Sequence, residues 1–119
     1  MAHLIDLKTI RDERGALTVI ERVLPFEIKR VYYIYDVAAA RGGHRHKKTV
    51  QAFVCLGGSC EIFVNNGGET RTWVLDSPSK CLVVDPRDWH TMDNFSTGAV
   101  LLVLASEHFS ADDYIDEVD

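Results

Sequence analysis

The stretch Arg41-Gly42-Gly43-His44-Arg45-His46-Lys47-Lys48-Thr49-Val50-Gln51 decides how the rest of the chain is read. It sets two of the five histidines at i and i+2. On a strand, residues two apart point to the same side and sit about 6.5–7 Å apart. If His44 and His46 share a strand, both imidazoles project into one space. Each takes up and returns protons near neutrality, because the ordinary imidazole pKa is about 6.5. Gly42 and Gly43 permit a tight bend, and Arg41, Arg45, Lys47 and Lys48 make the neighbourhood positive. Taken alone, the pair fits a solvated basic turn as well as it fits a reactive site. The flanking sequence decides between them.

Outward from this stretch the chain reads as strand after strand. Residues 4–10 and 16–23 flank the polar turn Arg11-Asp12-Glu13-Arg14-Gly15 and carry the β-branched content of strands. Residues 30–37 (RVYYIYDV) are aromatic and β-branched, a strong strand signal. Their alternation sets Val31, Tyr33 and Tyr35 on one side and Arg30, Tyr32, Ile34 and Asp36 on the other. Residues 38–43 read as a loop into the histidines. Strands follow at 51–56, 60–64, 70–75 and 80–84, with Asn65-Asn66-Gly67-Gly68 as a hairpin turn, since Asn and Gly tolerate positive φ. Residues 100–105 (VLLVLA) form an apolar run that suits a strand buried on both faces. Ser110 with Asp113 three residues later reads as the cap of a short C-terminal helix. The fold class is therefore all-β, a closed small β-barrel or jelly roll with one short terminal helix.

Composition narrows the function classes. The 119 residues fit one domain, 1–119. A net charge of −5 argues against nucleic-acid binding. No run reaches the roughly 18 apolar residues of a membrane span, and the N-terminus shows no signal peptide. Cys55, Cys60 and Cys81 are odd in number and sit in apolar runs. They read as buried free thiols of a cytoplasmic protein.

The spacing resembles that of the cupin barrels. Their first motif is HxH, three or four residues, Glu, six residues, Gly. Here His44-Arg45-His46 is followed by four residues, Gln51, six residues and Gly58. Gln51 stands where Glu is usual, and Ala38 stands where a glycine is usual. The second motif ends in His, three residues, Asn, which His90 and Asn94 match. Its usual Pro and Gly are blurred into Asp85-Pro86-Arg87. Three imidazoles with a carboxylate would suit iron, manganese, nickel or zinc. His44, His46 and His90 with the neutral Gln51 leave a cation's charge less neutralised, although zinc accepts three His and a water. The reading taken is that no metal or other cofactor serves, and that inward histidines work as acids and bases.

A narrower resemblance covers nearly the whole chain. The runs KRVYYIYDV, RGGHRHKKTVQAFVCLGGSCEI, LDSP, DWHTM and VLLVLAS are similar to the sugar 3,4-ketoisomerases, related to the WxcM-like proteins of surface-polysaccharide synthesis. That resemblance implies a metal-free cupin acting on dTDP-4-keto-6-deoxyglucose, in deoxyamino-sugar biosynthesis. It implies a homodimer with exchange of N-terminal strands, and catalysis by His44 and His46. The chemistry suits this residue set. The C3 hydrogen beside a C4 ketone is acidic, because its carbanion is an enolate. One base removes it, an enediol-type intermediate forms, and a proton returned to C4 gives the 3-keto isomer. No hydride leaves the sugar, and no GxGxxG follows a strand here. His46 is assigned the carbon proton and His44 the oxygens, with the reverse left open.

Other residues are expected to bind substrate. Arg41 would stabilise enolate charge or hold a phosphate, and Lys48 would pair with the pyrophosphate. Tyr33 and Tyr35 would stack on thymine or sugar. Gln51 would orient a hydroxyl from inside the barrel, and Trp89 and His90 would line it. Three other readings stay open: a 3,5-epimerase on the same barrel, a metal-dependent cupin enzyme, and a non-catalytic module that only binds nucleotide sugar.

Overall fold

A computed structural model describes residues 1–118 of the chain. Twelve strands run in chain order: β1 His3–Asp6, β2 Lys8–Asp12, β3 Gly15–Val19, β4 Arg30–Ile34, β5 Arg41–His46, β6 Gln51–Gly57, β7 Cys60–Asn65, β8 Thr70–Leu75, β9 Lys80–Val84, β10 Trp89–Asp93, β11 Val100–Ala105 and β12 Tyr114–Ile115. They form two five-stranded antiparallel sheets, β1-β9-β6-β11-β4 and β12-β5-β10-β7-β8, with β2-β3 as a separate hairpin. This is the cupin-type barrel expected from the histidine spacing. No helix among the described residues is long and apolar enough to cross a membrane.

Alternation explains the packing. Along β6, Phe53 and Cys55 join the core between the sheets, where they meet Ile62, Leu82, Leu101 and Val103. Ala52 and Val54 point the other way, into a second cluster with Leu7, Cys81 and Leu104, which Ile20, Leu24 and Phe26 cover. The first sheet is thus apolar on both faces, which is why residues 100–105 read as an unbroken hydrophobic run. The three cysteines are buried and free. The Asn66 side chain accepts hydrogen bonds from the Gly68 and Glu69 amides, closing the β7–β8 turn as its sequence predicts.

Three expectations need correction. The C-terminal helix is only a 3-10 turn, Ala111–Asp113, with no side-chain cap from Ser110. The chain then extends into β12 and pairs with β5, so strand pairing wins over the capping pattern. The long first strand is broken at Leu7, which is buried between β1 and β2. Gly42 and Gly43 belong to β5 rather than to a loop.

Candidate active site

β5 and β10 pair antiparallel with His44 opposite His90, and the register shifts between His90 and Thr91. Gly42 and Gly43 absorb that shift at φ +87 and +81. A Cβ on Gly42 would stand 2.8 Å from the His90 carbonyl oxygen, a clash with rigid backbone. Only glycine fits this bulge, and a bulge re-aims the side chains beside it. His44 and His46 turn inward, towards His90. Ring centroids are 5.1 Å apart for His44 and His46, 5.3 Å for His44 and His90, and 6.2 Å for His46 and His90. Tyr114 of β12 lies against both members of the pair, 4.7 Å from His44 and 4.6 Å from His46.

A cavity of about 410 Å³ opens here, lined by His44, Arg30, Tyr32, Arg41, Phe109 and Tyr114 among others. His46 and His90 stand behind His44, 3% and 0% exposed. Four buried polar atoms in this neighbourhood have no partner: His46 Nε2, His90 Nε2, Gln51 Oε1 and Arg30 Nε. Buried polar atoms without partners are uncommon in folded proteins, and their concentration beside one cavity marks a place that a polar ligand completes.

The electrostatics keep the rings neutral. Burial pushes the His44 pKa down, and the neighbouring His46 adds to this. Burial also lowers His46, against the opposing pull of the Asp113 carboxylate. His90 is pushed down to about 4 by its complete burial. At neutral pH each imidazole therefore has one N–H and one lone pair. His90 Nδ1 donates to the Asp88 carbonyl at 3.0 Å. His46 Nδ1 lies 2.9 Å from Asp113 Oδ2. Gln51 Nε2 donates to the Tyr32 hydroxyl at 3.0 Å, and burial holds that phenol above its ordinary pKa. Among the described residues, no group of three or more His, Cys, Asp or Glu side chains is arranged to hold a metal ion.

The residues picked from sequence divide clearly. His44, His46, His90, Gln51 and Arg41 come together at the cavity or directly behind it. Tyr33 and Tyr35 do not. They stack on each other at 5.9 Å on the outer face of the strand, 61% and 59% exposed. Period two puts Tyr32 inside instead, so the tyrosine at the site is their neighbour. Trp89 also faces away from the histidines, because it precedes the inward His90. It packs edge-on against Phe63, and its Nε1 donates to the Asp116 carbonyl at 2.8 Å. Lys48 borders a separate cavity of about 430 Å³ with Lys47, His108 and Asp113, on the other side of Phe109.

Against this geometry, the comparisons decide the family. The sequence model of the family described as "WxcM-like, C-terminal" matches residues 1–119. The chain belongs to the WxcM-like family. A curated relative from Aneurinibacillus thermoaerophilus, TDP-4-oxo-6-deoxy-alpha-D-glucose-3,4-oxoisomerase, is 45% identical, covering 98% of this chain and 86% of its own. Among solved structures, the TDP-quinovose 3,4-ketoisomerase WlaRB of Campylobacter jejuni is 42% identical with a TM-score of 0.93, over 98% of this chain and 92% of that one. A His-to-Asn mutant of the 3,4-ketoisomerase QdtA of Thermoanaerobacterium thermosaccharolyticum, in complex with TDP-4-keto-6-deoxyglucose, is 43% identical with a TM-score of 0.93, over 98% and 87%.

In this WxcM-like chain, sequence reasoning missed Tyr32, Asp113 and Tyr114. Alternation along β4 offered Tyr32 as a candidate, but nothing local favoured its face. Asp113 and Tyr114 carry no local signal, since they meet the histidines only when the last strand pairs with β5.

Proposed function

We propose that this protein is a nucleotide-sugar 3,4-ketoisomerase that converts TDP-4-keto-6-deoxyglucose to a TDP-3-keto-6-deoxyhexose. Relatives of that activity across nearly the whole chain support the reaction class. The observation that carries the mechanism is the pair of neutral, inward histidines 5.1 Å apart at a cavity with unpartnered polar atoms. A neutral imidazole is a base matched to neutral pH. His46 takes the C3 proton through Nε2, and the electron pair moves into a C3–C4 double bond with charge on O4. Arg41 and Arg30 at the rim favour that charge and the pyrophosphate. His44 passes the O3 proton towards O4, and His46, its acquired proton having exchanged with water, delivers a solvent-derived proton to C4. The C3 ketone forms, and both histidines return to their starting state.

The reaction needs no metal on this reading. Charge is carried by imidazoles and the two arginines, and Gln51 in the usual carboxylate position offers an amide that orients a hydroxyl. Purified protein treated with chelator and freed of iron, nickel, manganese and zinc by elemental analysis is expected to keep its full rate of 3-keto product formation. Loss of that rate, restored by one added ion, would overturn metal independence.

The active form is proposed to be a homodimer with exchange of N-terminal strands. β1 is already paired with β9 of its own chain, which leaves the β2–β3 hairpin for exchange. Ile10 and Leu17, paired across that hairpin, are 50% and 57% exposed. Light scattering is expected to give about twice the 13.4 kDa chain mass, and a single-chain mass would refute it.

A further inference from the structure

We infer that Asp113 is the positioning residue of this site: delivered by the C-terminal turn, it fixes His46 as the Nδ1–H tautomer and leaves Nε2 as the lone pair that takes the proton. The inference deepens the ketoisomerase reading and rests on it for its catalytic consequence.

Asp113 is fastened by four hydrogen bonds to one short stretch of chain. Its Oδ1 accepts the Lys48 amide at 2.8 Å, and its carbonyl accepts the Lys47 amide at 2.9 Å. Its Oδ2 accepts the Thr49 hydroxyl and faces His46 Nδ1 at 2.9 Å. The side chain is 11% exposed. Burial alone would raise its pKa, but the hydrogen bonds from Thr49, Lys48 and His46 outweigh it, and the carboxyl lies below its ordinary value. It is therefore an ionised acceptor at neutral pH. A carboxylate can only accept, so Nδ1 of a neutral His46 has to carry the proton. Nε2, buried and without a hydrogen bond of normal geometry although the Gln51 side chain lies beside the ring, is left as the base.

The tail holds this arrangement closed. β12 pairs with β5 through Tyr114 opposite His46 and Ile115 opposite Arg45. The Arg45 Nε donates to the Glu117 carbonyl at 2.8 Å, and Trp89 holds the Asp116 carbonyl. Trp89, although outside the cavity, thus helps to secure the segment that orients the base. The titratable and charged groups around the His46 ring are Asp113, Arg30, His44, His90 and Tyr114. Asp113 is the anion in direct contact with the ring.

The test is Asp113→Asn in the full-length chain. The Lys48 amide can only donate, so it keeps the Asn oxygen on its own side. The Asn NH₂ then takes the place of Oδ2 and donates to His46 Nδ1, which drives the proton to Nε2. Nitrogen-15 NMR of histidine-labelled protein is expected to show the Nδ1–H tautomer for His46 in the natural protein and Nε2–H in the variant. With TDP-4-keto-6-deoxyglucose, kcat is expected to fall roughly 10³-fold, within the range for loss of a general base, with KM within about threefold. The acid limb of kcat/KM is expected to move to lower pH, because loss of the carboxylate removes an interaction that raises the His46 pKa. An Asp113→Glu variant is expected to restore part of the rate.

An Nε2–H tautomer in the natural protein, or an unchanged tautomer in the Asn variant, overturns the inference whatever the turnover. A tautomer switch in a protein that never isomerises this sugar upholds the assignment and refutes the reaction instead. If Asp113→Asn does not fold, the natural protein's tautomer still decides. Thr49→Val then adds a kinetic check, expected to lower kcat about threefold to tenfold; an unchanged rate counts against the inference.

Discussion

The two five-stranded sheets are built on the same alternation and use it for different ends. In the first sheet, β6, β9 and β11 send apolar side chains to both faces, and Phe53, Leu82, Val83 and Leu101 are fully buried. The second sheet shares that core through Ile62, Val64 and Met92, but its β5 and β10 bring in His44, His46 and His90. The first sheet contributes polar atoms to the site at Gln51 on β6 and at Arg30 and Tyr32 on β4. The first sheet carries apolar side chains on both faces, and the second gives three inward positions to histidines. Catalysis and folding should therefore be separable by mutation.

The largest effect expected from breaking that division is on turnover. His46→Asn should lower the rate of 3-keto product formation roughly 10³-fold and His44→Asn roughly 10²-fold, the range for loss of a general acid or base. Both should melt cooperatively. An equal loss of rate and of cooperative melting would mean that the two roles are not separate. Next comes Leu101→Ala in the first sheet, fully buried in the core. It should cost about 2–5 kcal/mol in denaturant unfolding, while the folded fraction keeps its kcat.

The third prediction concerns His90, where the two roles meet. Its folded pKa is about 4, against about 6.5 unfolded. Below the unfolded value the unfolded chain binds the extra proton, so stability falls as pH drops from about 6.5 to about 4. The slope is about 1.4 kcal/mol per pH unit and the whole loss about 3 kcal/mol. Denaturant midpoints measured across that range check it, and a His90→Gln variant should lack this component. The smallest effect is expected at Tyr33→Ala on the outer face of β4, with kcat/KM within about threefold of the natural protein. A tenfold loss would place that face in substrate binding after all.

These contrasts also explain what could be read from sequence. The resemblance of His44, His46, Gln51 and Gly58 to the cupin spacing implied the barrel, and a period of two put His44 and His46 on one wall of the site. The same rule orders the tyrosines of β4 but does not say which side is inside. Val31, Tyr33 and Tyr35 look as apolar as Tyr32 and Ile34, and the choice is made by β11, which pairs along β4. Trp89 and His90 are adjacent, so only one of them can face inward on a strand. That exclusion was available from sequence alone. Asp113 was not legible as a partner of His46, since 67 residues separate them and its local setting resembled a helix cap. Pairing of β12 with β5 brings the two together, and no short-range pattern encodes it.

The most direct measurement is incubation with TDP-4-keto-6-deoxyglucose in deuterated water, followed by NMR of the sugar. The natural protein should yield a 3-keto sugar carrying deuterium at C4, and the protein with both His44→Asn and His46→Asn should yield none. An unchanged 4-keto sugar from the natural protein, or product from the double variant at the natural rate, would contradict proton transfer by this imidazole pair.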